Sequence, residues 1–255
     1  MPTWAGYLVI TGIIVAGTCV GVLLARPLVL KIFGPEPGQN ELITMVLTVG
    51  GIFYGLLLGL VAVAGYESYS EAESVVADEA ASLGTLYREV SAYPEPQRQV
   101  LRQDLIDYTD NVLTVAWPAL RRGDEPNGGT AIVTRFQEHL LAFDPPTTAA
   151  GILHRATIEQ FAQFDQDRRH RISATTQQIP PVLWWAIVAG GVINLVLLCL
   201  YSVSSRFAHL LLGGLLAVFL GTMIFLIATL DYPFRGDLSV DPQPFERVYH
   251  NVMGR

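Results

Sequence analysis

The chain has 255 residues, of which 51% are hydrophobic and only 15% carry a formal charge, a composition typical of membrane proteins. Its net charge of −7 argues against nucleic acid as a partner, because proteins that bind nucleic acid present basic surfaces. The two cysteines both lie inside apolar runs and therefore indicate no disulfide framework.

The first predicted element is a transmembrane helix over residues 4–25, where 22 residues carry no charge before Arg26 and Pro27 close the run. The residues that precede it supply no basic side chain, so we expect a retained membrane helix and not a cleaved secretory signal. A cluster of glycine and proline at residues 34–38 then separates this helix from the next one.

The second span, residues 42–66, has 25 uncharged residues and continues without a proline into an acidic amphipathic segment that reaches residue 90. We predict one long helix, half in lipid and half in water. Glycines recur every four residues in the membrane half, at Gly51, Gly55 and Gly59. This spacing predicts close helix contact, within one chain or between chains; the alternative is that glycine is simply common in membrane helices.

Residues 67–179 are predicted to form an acidic helical soluble domain. This segment contains 17 Asp and Glu against 10 Arg, so the whole net charge of the chain lies in it. Apolar residues at three- and four-residue steps indicate helices throughout. Pro94 and Pro96 end the first of these helices and suit the start of the next, which stops near Pro118. Further helices are predicted near residues 130–142 and from Thr147 or Thr148 onward.

Residues 180–230 are predicted to form a hairpin of two further membrane helices. The third span covers about residues 182–203 and the fourth about 207–230, joined by a short turn. Trp184 and Trp185 suit the aromatic belt at a membrane surface. Residues 231–255 form a tail. The predicted fold is therefore an all-α membrane protein, with residues 1–66 supplying helices one and two and the soluble domain inserted between helices two and three.

Four spans place both termini and the soluble domain on one side of the membrane, and the distribution of basic residues favours the cytoplasm for that side. Three arginines, Arg168, Arg169 and Arg171, precede the third span. They suit contact with anionic headgroups or, alternatively, a solvated helix end.

Glu67 and Glu71 are spaced one helical turn apart, directly after the second span. If several copies surround an axis, these residues would form rings of carboxylate that favour cations at a pore mouth. The alternative is a solvated acidic face.

Two motifs flank the soluble domain: Tyr66, Glu67, Tyr69, Glu71 and Ala72 at the end of the second span, and Asp231, Pro233 and Gly236 at the start of the tail. The first resembles the signature of the bestrophin ion channels, and the second resembles the bacterial bestrophin-like family, which is similar to them. Together with the four spans and the helical insert, they extend the resemblance over nearly the whole chain.

Bestrophins are pentameric channels whose second membrane helix lines a hydrophobic neck, so the resemblance implies a homo-oligomer, with a pentamer favoured, and a constriction at Ile52, Leu56 and Leu60. These residues are spaced four apart and share one helix face, and apolar rings can gate a pore by dewetting. Ordinary packing or lipid contact is the alternative for three aliphatic residues in a membrane helix.

Other chemistry finds no support in the sequence. Zinc-ligand spacings, a nucleophile elbow, a P-loop and a dinucleotide fingerprint are all missing, so we predict no enzyme, no metal site and no cofactor. Asp104, Asp107 and Asp110 recur at three-residue steps, but without a calcium-binding loop we interpret them as a solvated helix face.

Two hypotheses for function follow. The first is a homo-oligomeric ion channel in the inner membrane of a bacterium, whose permeant ions are cations more than anions because of its carboxylates. The second is a non-conducting membrane scaffold or accessory subunit, whose acidic domain recruits a cytoplasmic partner.

Overall fold

The structure is a computed structural model that describes residues 3–32, 39–124, 129–201, 203 and 205–255. Every regular element in these ranges is helical, which confirms the predicted all-α class. The predicted breaker cluster at residues 34–38 lies outside the described residues. Residues 125–128, between the predicted helices that stop near Pro118 and lie near 130–142, and residues 202 and 204 of the hairpin turn lie outside them as well.

Nine α-helices make up the described part of the chain. In order they are α1 (Thr3–Ile32), α2 (Gln39–Val90), α3 (Gln97–Asn111), α4 (Trp117–Arg122), α5 (Gly129–Leu141), α6 (Thr148–Ala174), α7 (Pro181–Leu200), α8 (Arg206–Leu230) and α9 (Gln243–Arg247). A π-helical turn, Val112–Ala116, joins α3 to α4, and a second one, Val248–Val252, follows α9.

Four of these helices, α1, α2, α7 and α8, are long and apolar enough to cross a bilayer, as the sequence predicts. The prediction of one long second helix is also confirmed, because α2 runs for 52 residues. By contrast, α1 does not end at Arg26 and Pro27 but continues to Ile32. A proline removes one backbone hydrogen bond, and membrane helices tolerate that loss.

The chain divides into two compact units, the first formed by Met1–Glu67 and Gln178–Asp231 and the second by Ser68–Gln177 and Tyr232–Arg255. In the first unit, α1 packs against α7 and α8. A Cβ atom on Gly221 of α8 would lie 2.9 Å from Thr11 Oγ1 and 3.0 Å from Thr11 Cα. Only glycine therefore permits this approach of the α1 and α8 backbones.

The second unit has a hydrophobic core of its own, to which the end of the chain contributes. Phe234, Val240 and Phe245 are buried in the same cluster as residues of α2, α3 and α6. The indole nitrogen of Trp117 donates a hydrogen bond of 3.2 Å to the carbonyl oxygen of Val240. Residues 232–255 are thus part of this unit.

The helix predicted to stop near Pro118 continues four residues further, to Arg122. A π-helical turn precedes the proline, and the Trp117 amide donates to the carbonyl oxygen of Val112. Pro118 then falls in the first turn of α4, where a missing amide hydrogen costs little. Gly123, with a φ of 85°, ends α4 in the left-handed conformation.

Candidate functional site

One face of the membrane half of α2 is buried within the first unit. Tyr54, Leu58 and Val61 are only 7%, 2% and 3% exposed, and they pack with apolar residues of α7 and α8. The Tyr54 hydroxyl donates a hydrogen bond of 3.0 Å to the carbonyl oxygen of Ile187. The Tyr54 ring fills the space that a side chain on Gly190 would need, so α2 is held in one rotation about its axis.

The opposite face of α2 carries the predicted constriction residues and is exposed. Ile52, Leu56 and Leu60 are 66%, 59% and 63% exposed. They belong to a longer row of exposed apolar side chains, here called the α2 stripe: Met45, Val49, Ile52, Leu56, Leu60 and Val63. A single copy of the chain leaves this stripe uncovered, so lipid, a pore or another chain must lie against it.

The three regularly spaced glycines of α2, Gly51, Gly55 and Gly59, make little contact with other described residues. A Cβ atom on Gly51 would lie 3.8 Å from Asn194 Oδ1, whereas a Cβ atom on Gly55 or Gly59 would have no neighbour within 4 Å among the described residues. The close helix contact predicted for Gly55 and Gly59 is therefore not made inside one chain. Contact between chains stays a prediction.

Glu67 and Glu71 are both exposed in the structure. Since α2 is continuous through this region, the two carboxylates follow the α2 stripe at the spacing that the sequence predicts. Their role at a pore mouth stays a prediction.

The first family motif divides between surface and core. Tyr66 is exposed, whereas Ala72 is buried in the core of the second unit. Tyr69 packs against that core, and burial raises the pKa of its hydroxyl, as do the neighbouring Glu73 and Asp241 carboxylates. The motif thus includes residues that anchor α2 and not only residues that face outward.

The second motif begins with a buried carboxylate. Asp231, only 5% exposed, accepts hydrogen bonds from the amide of Ile179 at 2.6 Å and from the indole of Trp184 at 3.0 Å. It therefore ties the end of α8 to the residues that begin α7. The indole nitrogen of Trp184 thus makes its hydrogen bond within the protein, whereas the neighbouring Trp185 is exposed.

The remaining motif residues form a turn in the second unit. The Pro233 carbonyl oxygen accepts a 2.8 Å hydrogen bond from the Val240 amide, and the Gly236 amide donates a 3.2 Å hydrogen bond to the Arg121 carbonyl oxygen. Gly236 has a φ of 76°, a conformation that other residues adopt only at a cost in energy. The positive φ accounts for glycine at position 236, and the two backbone hydrogen bonds fix the turn within the second unit.

A buried charged cluster in the second unit was missed by sequence reasoning. Arg171, interpreted above as a headgroup contact or solvated helix end, is buried together with Arg168. Arg171 Nε donates to Glu79 Oε2 at 2.5 Å, and the Tyr108 hydroxyl donates to the other oxygen of Glu79. Burial disfavours the charge on Arg171, but the Glu79 carboxylate outweighs that effect and raises the arginine pKa.

The interpretation of the three aspartates as a solvated face is wrong for Asp104. This side chain is buried and accepts hydrogen bonds from Arg135 at 2.7 Å and from His139 at 2.6 Å. Arg135 also reaches Asp107 at 2.7 Å, because α5 packs along this side of α3. Within the described ranges, no group of three His, Cys, Asp or Glu side chains could hold a metal ion.

The chain matches a known protein family over most of its length. Residues 12–245 match the family described as Bestrophin-like domain. No curated protein matches the chain.

Several solved structures of bestrophin homologues from Klebsiella pneumoniae are similar to the chain. One, a single-residue variant, is 11% identical with a TM-score of 0.69, over 96% of this chain and 99% of that one. Another, phased with zinc, is 13% identical with a TM-score of 0.65, over 95% and 98% of the two chains. At these identities the likeness shows a shared fold.

Proposed function

The chain belongs to the bestrophin-like family, and from that premise we propose that it is a homo-oligomeric ion channel of a bacterial inner membrane. Five copies surround a central pore, and α2 of each copy lines it. The second unit and both termini lie on the cytoplasmic side. The observation that carries the proposal is the α2 stripe, which is exposed along a helix whose opposite face is anchored to α7 and α8.

The constriction lies at Ile52, Leu56 and Leu60. Each of these side chains is more than half exposed in one copy of the chain, so it is free to face a common axis. Repeated around that axis, the three residues give three successive apolar rings. Such rings oppose the passage of water and ions unless the helices move apart.

The open positions at Gly55 and Gly59 support a neighbouring copy beside α2. Both glycines lack a neighbour within 4 Å among the described residues, and small residues let membrane helices approach closely. An adjacent helix can therefore pack against this side of α2 while the α2 stripe faces the pore.

The mouth of the pore is acidic. Glu67 and Glu71 are exposed one turn apart, and five copies would place two rings of carboxylates at the cytoplasmic end of the constriction. Rings of this kind concentrate cations and repel anions. The channel therefore conducts cations in preference to anions.

Recording of purified protein in planar bilayers tests the proposal. We expect single-channel currents, and a larger conductance or open fraction when Leu56→Ala and Leu60→Ala are combined, because smaller side chains widen the apolar rings. The matched control combines Leu211→Ala with Leu215→Ala, which removes two exposed leucines at the same spacing from α8. Silence of the double α2 variant, or equal changes in both variants, would contradict a pore at the α2 stripe.

The same recordings under a salt gradient measure selectivity. We expect the reversal potential to indicate cation preference, and Glu67→Gln with Glu71→Gln to reduce that preference. Glu159→Gln, which neutralises an exposed carboxylate of α6, is expected to leave it unchanged. A reversal potential that indicates anion preference would contradict the role given to the carboxylates.

A further inference from the structure

A polar cleft with a volume of about 340 Å³ opens in the second unit. It lies where α3 and the end of α2 meet the last residues of the chain. Its lining includes Tyr87, Glu95, Arg98, Arg102, Ile106 and Arg255. The cleft is distinct from the α2 stripe and takes no part in the function proposed above.

The cleft concentrates positive charge in an acidic part of the protein. Residues 68–177 and 232–255, which form the second unit, contain 19 Asp and Glu against 13 Arg. The side chains that line the cleft reverse this balance, with three arginines and one glutamate. An excess of guanidinium groups over carboxylate side chains suits an anionic ligand.

Arg102 is held in place without a carboxylate. Its Nε donates a hydrogen bond of 2.8 Å to the Tyr87 hydroxyl, and its guanidinium carbon lies 4.8 Å from the centre of the Tyr87 ring. Tyr87 is itself buried, so the guanidinium is fixed against a rigid aromatic side chain. In the described part of the chain no carboxylate lies within ion-pair distance of Arg102, and its charge is available to a ligand.

The other two arginines differ from Arg102 in their partners. Arg98 pairs with Glu95 at 2.6 Å, and both side chains are about half exposed. Such exposed pairs are weak, so a dianion can compete for Arg98. Arg255 is exposed, and its guanidinium makes no ion pair with any described residue.

We propose that this cleft binds a small molecule through a phosphate group carrying two negative charges. Guanidinium groups bind phosphate through paired N–H donors, and the arrangement supplies one fixed guanidinium and two adjustable ones. Ile106 gives part of the wall an apolar surface for the remainder of the ligand. The volume of about 340 Å³ corresponds to the lower end of small-molecule sites and accommodates a phosphomonoester.

Isothermal titration calorimetry on the full chain in detergent tests this proposal, with inorganic phosphate as the probe at pH 8. Chloride is added to keep the ionic strength constant, since charged contacts are screened by salt. We expect saturable binding of phosphate. Arg102→Gln should weaken it about tenfold or more, the loss expected for a charged hydrogen-bond donor.

If the Arg102→Gln protein unfolds because the contact with Tyr87 is lost, two further variants still test the proposal. Arg255→Gln removes a guanidinium that pairs with no described residue and should also weaken binding. Arg155→Gln removes an exposed arginine of α6 outside the cleft and should bind phosphate as the wild type does. Absence of binding to the wild-type chain, or equal binding by all three variants, overturns the proposal.

Succinate provides the second arm of the experiment, because a dicarboxylate carries the same charge with different geometry. Weaker binding of succinate than of phosphate supports the assignment to a phosphate group. Binding of succinate without binding of phosphate overturns it.

Discussion

Glu89 on α2 shows how a single side chain can make stability depend on pH. One of its carboxylate oxygens is buried and has no hydrogen-bond partner among the described residues. Burial raises the pKa of the Glu89 carboxyl above its ordinary value, and a hydrogen bond with Thr157 opposes the shift only in part. The folded protein thus holds the proton more tightly than the unfolded chain. The associated stability is present at low pH and is lost as the pH rises through the folded pKa.

Glu89→Gln is therefore expected to stabilise the protein at pH 8 and to have little effect at pH 4, because the amide keeps the shape of the acid without its charge. The unfolding temperature at pH 8 should rise, and the rise should disappear towards pH 4, where the carboxyl of the wild type is protonated. Differential scanning calorimetry over that pH range measures the effect. Glu159→Gln on the exposed side of α6 is the control; an identical pH profile for wild type and Glu89→Gln would show the interpretation to be wrong.

Helix contacts in the first unit depend on glycines that the sequence does not distinguish from one another. Gly221 lies against the Thr11 backbone, whereas a Cβ atom on Gly214, on the same helix, would meet nothing within 4 Å. Gly213 is also close to its neighbours, with Leu198 Cδ2 at 3.2 Å from the position of its Cβ atom. The glycines of α8 therefore differ in what they contact, although all three have the same propensity within a helix.

We expect Gly221→Ala to destabilise the first unit by about 1 to 3 kcal/mol, the usual cost of an added methyl group in a packed region. Gly214→Ala adds the same methyl group to the same helix, so it should be neutral or slightly stabilising. Thermal unfolding of both variants in detergent measures the difference. Equal stability of the two would contradict the close α1–α8 contact at Thr11.

Assembly is the property of the whole molecule on which the proposed channel depends. The α2 stripe is exposed in one chain, and a pore exists only if other copies surround the same axis. The competing hypothesis, a non-conducting scaffold or accessory subunit, requires a foreign protein in place of those copies. Subunit composition therefore separates the two functions before any current is measured.

Native mass spectrometry of the protein released from detergent is expected to give one main species of five identical chains. The physical reason is that a ring of α2 helices covers the open sides of Gly55 and Gly59 with protein. A monomer, or a fixed ratio of this chain to a different subunit, would contradict the pentameric channel, and the second result would favour the scaffold.

The sequence by itself determined the all-α class, the four apolar spans and the continuous α2, since the length of an apolar run and the absence of proline are local properties. Ile52, Leu56 and Leu60 were singled out by the resemblance to bestrophins, and their spacing predicted only that they share one helix face. The first span was predicted correctly as residues 4–25. The helix itself extends past Pro27 to Ile32, and the helix predicted to stop near Pro118 continues to Arg122, because a proline limits a helix only where its missing hydrogen bond is not tolerated.

Only the tertiary structure decided which charged residues are buried. Glu79 and Arg171 lie 92 residues apart, and Asp104 meets Arg135 and His139 from a separate helix. A charged side chain is buried where an ion-pair or hydrogen-bond partner offsets its loss of hydration. The spacing of residues along one helix does not predict a partner on another helix. For the same reason, the arginines before α7 were predicted to lie at the membrane surface or in solvent. The sequence also did not indicate the cleft, because its arginines come together only when the last residues of the chain pack beside α3.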